Sequence, residues 1–189
     1  MLGLLESVER ENAKSRTSVI LPIIEDAAAL LDARAIATAS TRVFGLMCAS
    51  EDLPTSMNAE PTTEFLRLPK LLVHFAAKAA GVRSFGLLRS IADFGDQKAV
   101  EAAIEEARSF GFEGATCVHP SVVPLLNRGF APTPEQVAKA TRLLAAAEEA
   151  KKKQLGAFLF EGKMADEPVV QRARNLLLRH EQLQARSQS

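Results

Sequence analysis

Glu25 and Asp52 have the residue types and the placing that hard-metal chemistry requires. Each follows a short apolar run: Ser18-Val-Ile-Leu-Pro-Ile-Ile24 leads into Glu25, and Val43-Phe-Gly-Leu-Met-Cys48 ends shortly before Asp52. The interval between the two carboxylates is 27 residues, the length of one helix plus one strand. If the two runs are neighbouring parallel strands, both carboxylates leave the same sheet edge, which is where α/β folds bind ligands. Two carboxylates in that place suit Mg2+, whose other positions water and substrate oxygens fill. Plain structural roles fit the same residues. Glu25 and Asp26 open a helical stretch, where acids favour the positive end of the dipole, and Asp52 can cap a turn before Leu53-Pro54.

His119, in Val118-His-Pro-Ser121, follows another apolar run. It can polarise a substrate group, or it can satisfy its ring nitrogens with backbone. His74 sits mid-helix among apolar residues and reads as structural, and His180 lies in a charged helix end; neither has metal-ligand spacing to another His or Cys. Asp166, just before Glu167-Pro168, has the form of a helix N-cap with proline in the first turn. Lys151-Lys-Lys153 reads as a solvated helix end. Cys48 and Cys117 read as reduced, buried thiols.

The elements that must position these residues alternate in type. Apolar runs at 18–24, 43–48, 82–88 and 115–118 predict four strands. Helical patterns at 26–38, 62–80, 96–110 and 121–127 separate and follow them, with Gly81 and Gly111 as C-terminal stops. Four strand–helix units in series predict a parallel sheet with helices outside, in a doubly wound sheet or part of a (β/α)8 barrel. No GxGxxG or Walker loop follows any of the strands. The tail differs. Thr133 and Gln136 have capping-box spacing for a helix running to about Gln154, an extended piece spans 156–162, and a last helix runs from Asp166 to about Gln182.

Bulk properties narrow the function classes. Lys plus Arg equals Asp plus Glu, 23 of each, so no net charge favours nucleic acid or an anionic membrane. No apolar run approaches a membrane span, and the first residues turn charged at Glu6, unlike a secretory signal. A cytoplasmic location is the expectation.

Several motifs resemble one family in order and spacing. Ile23-Ile-Glu25 resembles the Ile-Glu-Thr strand end of CitE-like lyases, the HpcH/HpaI aldolase and citrate lyase β-subunit group. Phe44-Gly45 leading to Glu51-Asp52-Leu53 resembles their Gly-x-x-Asp-Leu motif, and Ala79-Ala-Gly-Val82 their Ala-Gly-Val. Gly111-Phe-Glu-Gly114 with Val118-His-Pro-Ser121, then Phe130-Ala-Pro-Thr133, Gly162-Lys-Met-Ala-Asp166 and Pro168-Val-Val170 complete a series from about Ser18 to Leu178. The resemblance implies Mg2+-dependent cleavage of a carbon–carbon bond in a citryl-, malyl- or citramalyl-CoA type substrate, giving an acyl-CoA and a keto acid. It implies Glu25 and Asp52 as metal ligands, and Glu51 and Asp52 as the place where backbone amides hold the keto-acid carboxylate. It implies Asp166 as the acid/base residue, lent through the tail to a neighbouring subunit; His119, in the matching His-Pro-Ser motif, is the other catalytic candidate, from its place after the fourth apolar run. Asp26, Ala49, Ser50, Gly86, Ala115 and Val122 depart from the family pattern and bear on substrate choice.

Length sets the architecture that the resemblance implies. A (β/α)8 barrel takes ~200–250 residues. Residues 1–131 match units five to eight of it, and 132–189 form a helical segment expected to serve the oligomer and a neighbouring active site. Such a half barrel is expected to form a homo-oligomer or to pair with another barrel half. A truncated, non-catalytic subunit or remnant and a pyruvate-type class II aldolase are the competing functions.

Overall fold

The computed structural model describes residues 2–12, 18–90 and 94–187. The chain divides into two compact units, Met1–Phe130 and Ala131–Ser189.

In the first unit a three-stranded parallel sheet has the order β1 (Ile23–Ile24), β2 (Gly45–Cys48), β3 (Arg83–Phe85). Its helices are α1 (Leu2–Glu11), α2 (Ala27–Leu31), α3 (Ala33–Thr38), α4 (Asp52–Ser56), α5 (Thr63–Ala79), α6 (Gln97–Phe110) and α7 (Val123–Phe130), the last preceded by a 3-10 turn at Pro120–Val122. The α/β character agrees with the alternation in the sequence. Register explains which side is covered. Ile24 pairs with Cys48, and both join Leu46, Ala33, Ala37, Val73 and Ala77 in one apolar cluster against α3 and α5. Strand alternation puts the row Ile23, Met47, Phe85 on the opposite face. A second cluster joins Leu87 and Leu88 to α6 and α7 through Ile104, Phe112 and Leu126.

Caps fix the helix starts. Asp26 accepts from the Ala29 amide at 2.7 Å, Thr62 from Phe65 at 3.1 Å and Asp96 from Ala99 at 3.1 Å. The helix expected over 26–38 is broken at Asp32, which closes α2 and opens α3. The fourth strand, expected at 115–118, does not form. Pairing with β3 falls just before that run, as a single bridge between Phe85 and Gly114, with the Gly86 amide donating to the Gly114 carbonyl at 2.9 Å. Helix α1 was not foreseen. A bidentate pair holds it: Arg42 donates to both Glu9 carboxylate oxygens, at 2.9 and 2.7 Å, within the protein interior. The Arg42 hydrogen bonds hold the Glu9 carboxyl down at about 2.

The second unit contains α8 (Pro134–Lys152), a hairpin of β4 (Phe158–Phe160) and β5 (Lys163–Ala165), and α9 (Glu167–Ser187). The capping box at Thr133 and Gln136 is present as the spacing implied. Ala140, Leu143, Ala165 and Ala173 form its core. Among the described residues no helix is long and apolar enough to cross a membrane.

Candidate metal and substrate site

Parallel pairing of β1 with β2 brings the two sequence-nominated carboxylates to one sheet edge. The Ala49 amide donates to the Ile24 carbonyl at 2.9 Å, so Glu25 leaves β1 beside residue 49, three positions before Asp52. Asp52 opens α4, whose first-turn amides have no intrahelical acceptor. Glu25 and Asp52 are exposed, and among the described residues neither carboxylate makes a hydrogen bond or ion pair. Their neighbours differ. Asp26 spends its carboxylate on the α2 cap, and Glu51 accepts from the Ser90 hydroxyl at 2.6 Å.

The donor set decides which ion it suits. No group of three or more His, Cys, Asp or Glu among the described residues could enclose a metal. That excludes a closed four-ligand zinc centre there. Two free carboxylates fit a hard ion that keeps most of its shell as water and substrate oxygens, as Mg2+ does.

His119 lies after the Gly114 bridge, exposed, with its ring stacked on Phe94 at a centroid distance of 4.8 Å and nearly parallel to it. Its Nδ1 accepts from the Ser121 amide at 3.2 Å and lies 2.8 Å from the Ser121 hydroxyl. An amide only donates, so Nδ1 presents its lone pair and the neutral ring carries its proton on Nε2. One ring nitrogen is therefore committed to backbone, and the other is a donor. Asp166, in the second unit, starts α9 with its carbonyl, which accepts from Val169 and Val170 at 3.0 Å. Its carboxylate makes no capping bond among the described residues, contrary to the cap expectation. It borders a groove of about 400 Å3 with Lys151, Phe158 and Arg174. His74 is buried, as its apolar neighbours implied, and stacks on Phe112 at 4.5 Å; burial lowers its pKa. Cys48 is buried and free, and burial raises its thiol to about 11; Cys117 is only half-buried.

Lys70 lies in none of the sequence motifs above, yet it is a buried polar centre. It is 2 % exposed, and its Nζ donates to Ser50 Oγ at 2.7 Å and to the Leu87 and Arg89 carbonyls at 2.9 Å each. The signal lay in the stripe Leu66, Lys70, Val73, Ala77, where a cation replaces an apolar residue on the buried face of α5. Burial pulls its pKa from 10.5 down to about 8. The neutral amine suits the same three contacts, with the Ser50 hydroxyl then donating. Because the folded state holds this proton less tightly than the unfolded chain, folding gains as pH rises from 8 towards 10.5 and loses that gain as pH falls through 8. The stability of the wild type relative to Lys70→Met is expected to rise by up to ~3 kcal/mol between neutral and alkaline pH in denaturant titrations. A difference independent of pH contradicts the desolvated lysine.

Comparison with known proteins identifies the family. The HpcH/HpaI aldolase/citrate lyase family model matches residues 4–120, more than half of the chain. Citrate lyase subunit beta of Escherichia coli K12 is 34% identical over 86% of this chain and 54% of its own length. Mitochondrial citramalyl-CoA lyase of Rattus norvegicus is 29% identical over 84% of this chain and 49% of its own. The structure of Mycobacterium tuberculosis CitE in complex with magnesium, acetoacetate and coenzyme A superposes with a TM-score of 0.69 at 27% identity, over 88% of this chain and 62% of that one. The chain spans about half the length of the curated relatives it matches. With the family model covering its sheet, and named lyases similar to it over most of its length, the chain belongs to the HpcH/HpaI aldolase/citrate lyase family.

Proposed function

We propose that this chain is the metal-binding part of a CoA-ester lyase, which cleaves a hydroxyacyl-CoA of the citryl, malyl or citramalyl type into an acyl-CoA and a keto acid. The observation that carries this reading is the pair of exposed, unpartnered carboxylates, Glu25 and Asp52, on one edge of a parallel sheet. They would hold Mg2+, which when bound supplies Lewis acidity to the substrate oxygen. The amides at the start of α4, around Glu51 and Asp52, receive the keto-acid carboxylate. The Nε2 proton of His119 can be donated to a substrate oxygen as charge develops on it. As the C–C bond breaks, the hydroxyl proton passes to solvent, the hydroxyl-bearing carbon becomes a carbonyl, and the bonding electron pair is left on the α-carbon of the acyl-CoA. Asp166 protonates that carbon, lent by the tail of a neighbouring subunit.

The sheet face away from the helices supports the larger architecture. Its row Ile23, Met47, Phe85 is apolar, and Ile23 is 48% exposed. Such a row suits the packed interior of a (β/α)8 barrel, to which these strands contribute the later part. Further strands would come from another half or a second copy, making the active form an oligomer. The test is release of keto acid from malyl-CoA and citramalyl-CoA with Mg2+ present. Release from a CoA ester is the expected result, with Asp166→Asn slower by ~100-fold or more. Turnover of a free hydroxy-keto acid alone identifies a pyruvate-type aldolase. No turnover of either, with Mg2+ bound, identifies a non-catalytic subunit.

A further inference from the structure

Nothing in the proposed chemistry uses Lys70, yet its placing is costly. A buried cation is tolerated only when its donors are satisfied, and an apolar residue of similar volume is often at least as stable. Lys70 spends all three donors on two segments, the turn after β2 at Ser50 and the loop after β3 at Leu87 and Arg89. Ser50 stands two residues before Asp52. A second tie joins the same two segments, from the Ser90 hydroxyl to the Glu51 carboxylate at 2.6 Å. The carboxylate of Asp52 itself has no partner to fix it, so its direction depends on how residues 49–52 are held.

We propose that Lys70 is a positioning residue for the Asp52 ligand: its three hydrogen bonds clamp the turn after β2 to the loop after β3, and so set the geometry in which Asp52 meets the ion. Ligand groups held by a supporting shell bind more tightly than the same groups on a loose loop. The inference rests on the metal reading of Glu25 and Asp52.

The test is Mn2+ titration of the full chain, followed by electron paramagnetic resonance, with stability measured alongside. Lys70→Met is expected to bind Mn2+ at least ~10-fold more weakly than the wild type, as loss of outer-shell support does elsewhere. Lys70→Arg returns donors and is expected to recover part of the affinity. Leu125→Ala, a buried deletion on α7, is expected to lower stability and leave Mn2+ affinity unchanged. If Lys70→Met does not fold, Ser50→Ala removes one of the three bonds and is expected to weaken Mn2+ binding in its place. Wild-type affinity in the folded lysine variant, or in Ser50→Ala where that variant is needed, overturns the proposal. So does an equal loss in Leu125→Ala. A wild-type chain that binds no Mn2+ overturns the metal reading itself, and this inference with it.

Discussion

Glutamine at Glu25, or asparagine at Asp52, is expected to weaken Mg2+ binding by ~100-fold or more while leaving the fold intact. Loss of an outer-shell partner typically weakens a metal site by ~10–100-fold, so a direct ligand belongs at the upper end or beyond. Each substitution keeps the shape of the side chain and removes its charge. With two protein carboxylates in the site, either one is half of the fixed negative charge that holds the ion. Both side chains are exposed and without hydrogen bonds among the described residues, so stability should move by no more than ~0.5 kcal/mol. Calorimetric titration with Mg2+, in the presence of oxalate as a keto-acid mimic, separates the two effects. Unchanged Mg2+ affinity in both variants would falsify the assignment of these ligands.

Valine at Gly45 is expected to do the reverse and remove the fold before any chemistry. A Cβ there would lie 2.6 Å from the Arg83 carbonyl oxygen and 2.7 Å from Cε2 of Phe85. Gly45 is on β2, the central strand, and pairs with Arg83 on β3. The carbonyl cannot retreat without opening that ladder, and valine adds two further methyl groups to the clash. Overpacking of this kind commonly costs about 1–3 kcal/mol, and the backbone contact puts this case at or above the top of that range. The chain has no Trp or Tyr, so far-UV circular dichroism in denaturant is the appropriate probe. Gly156→Ala, where a Cβ would meet nothing within 4 Å, is the matched control and should be neutral. Native stability in Gly45→Val contradicts the close approach of β2 and β3.

The parts of the fold legible in the sequence were those written locally. The apolar runs ending at Ile24 and Cys48 announced two strands, and Thr62, Asp96 and Thr133 announced helix starts through their own side chains. The same local logic placed Glu25 and Asp52 at one sheet edge. What failed depended on distant partners. Residues 115–118 have the composition of a strand, but β3 pairs with Glu113 and Gly114 instead, and Gly86, at a φ of 145°, follows the last β3 residue. Helix α1 is tied down by an arginine 33 residues away from Glu9, and no local pattern announces that. Asp32 sits where a single helix was expected and instead divides it, since aspartate favours helix ends over interiors. Lys70 was visible only as an anomaly on an apolar stripe, and its meaning came from loops that lie on either side of it in the sequence.

The most direct measurement of the central claim is a crystal structure of the full chain grown with Mg2+ and oxalate. The expected result is an ion within ~2.0–2.1 Å of one oxygen each from Glu25 and Asp52, with oxalate and water oxygens completing an octahedron. An ion bound elsewhere, or none between those two carboxylates at saturating Mg2+, contradicts it.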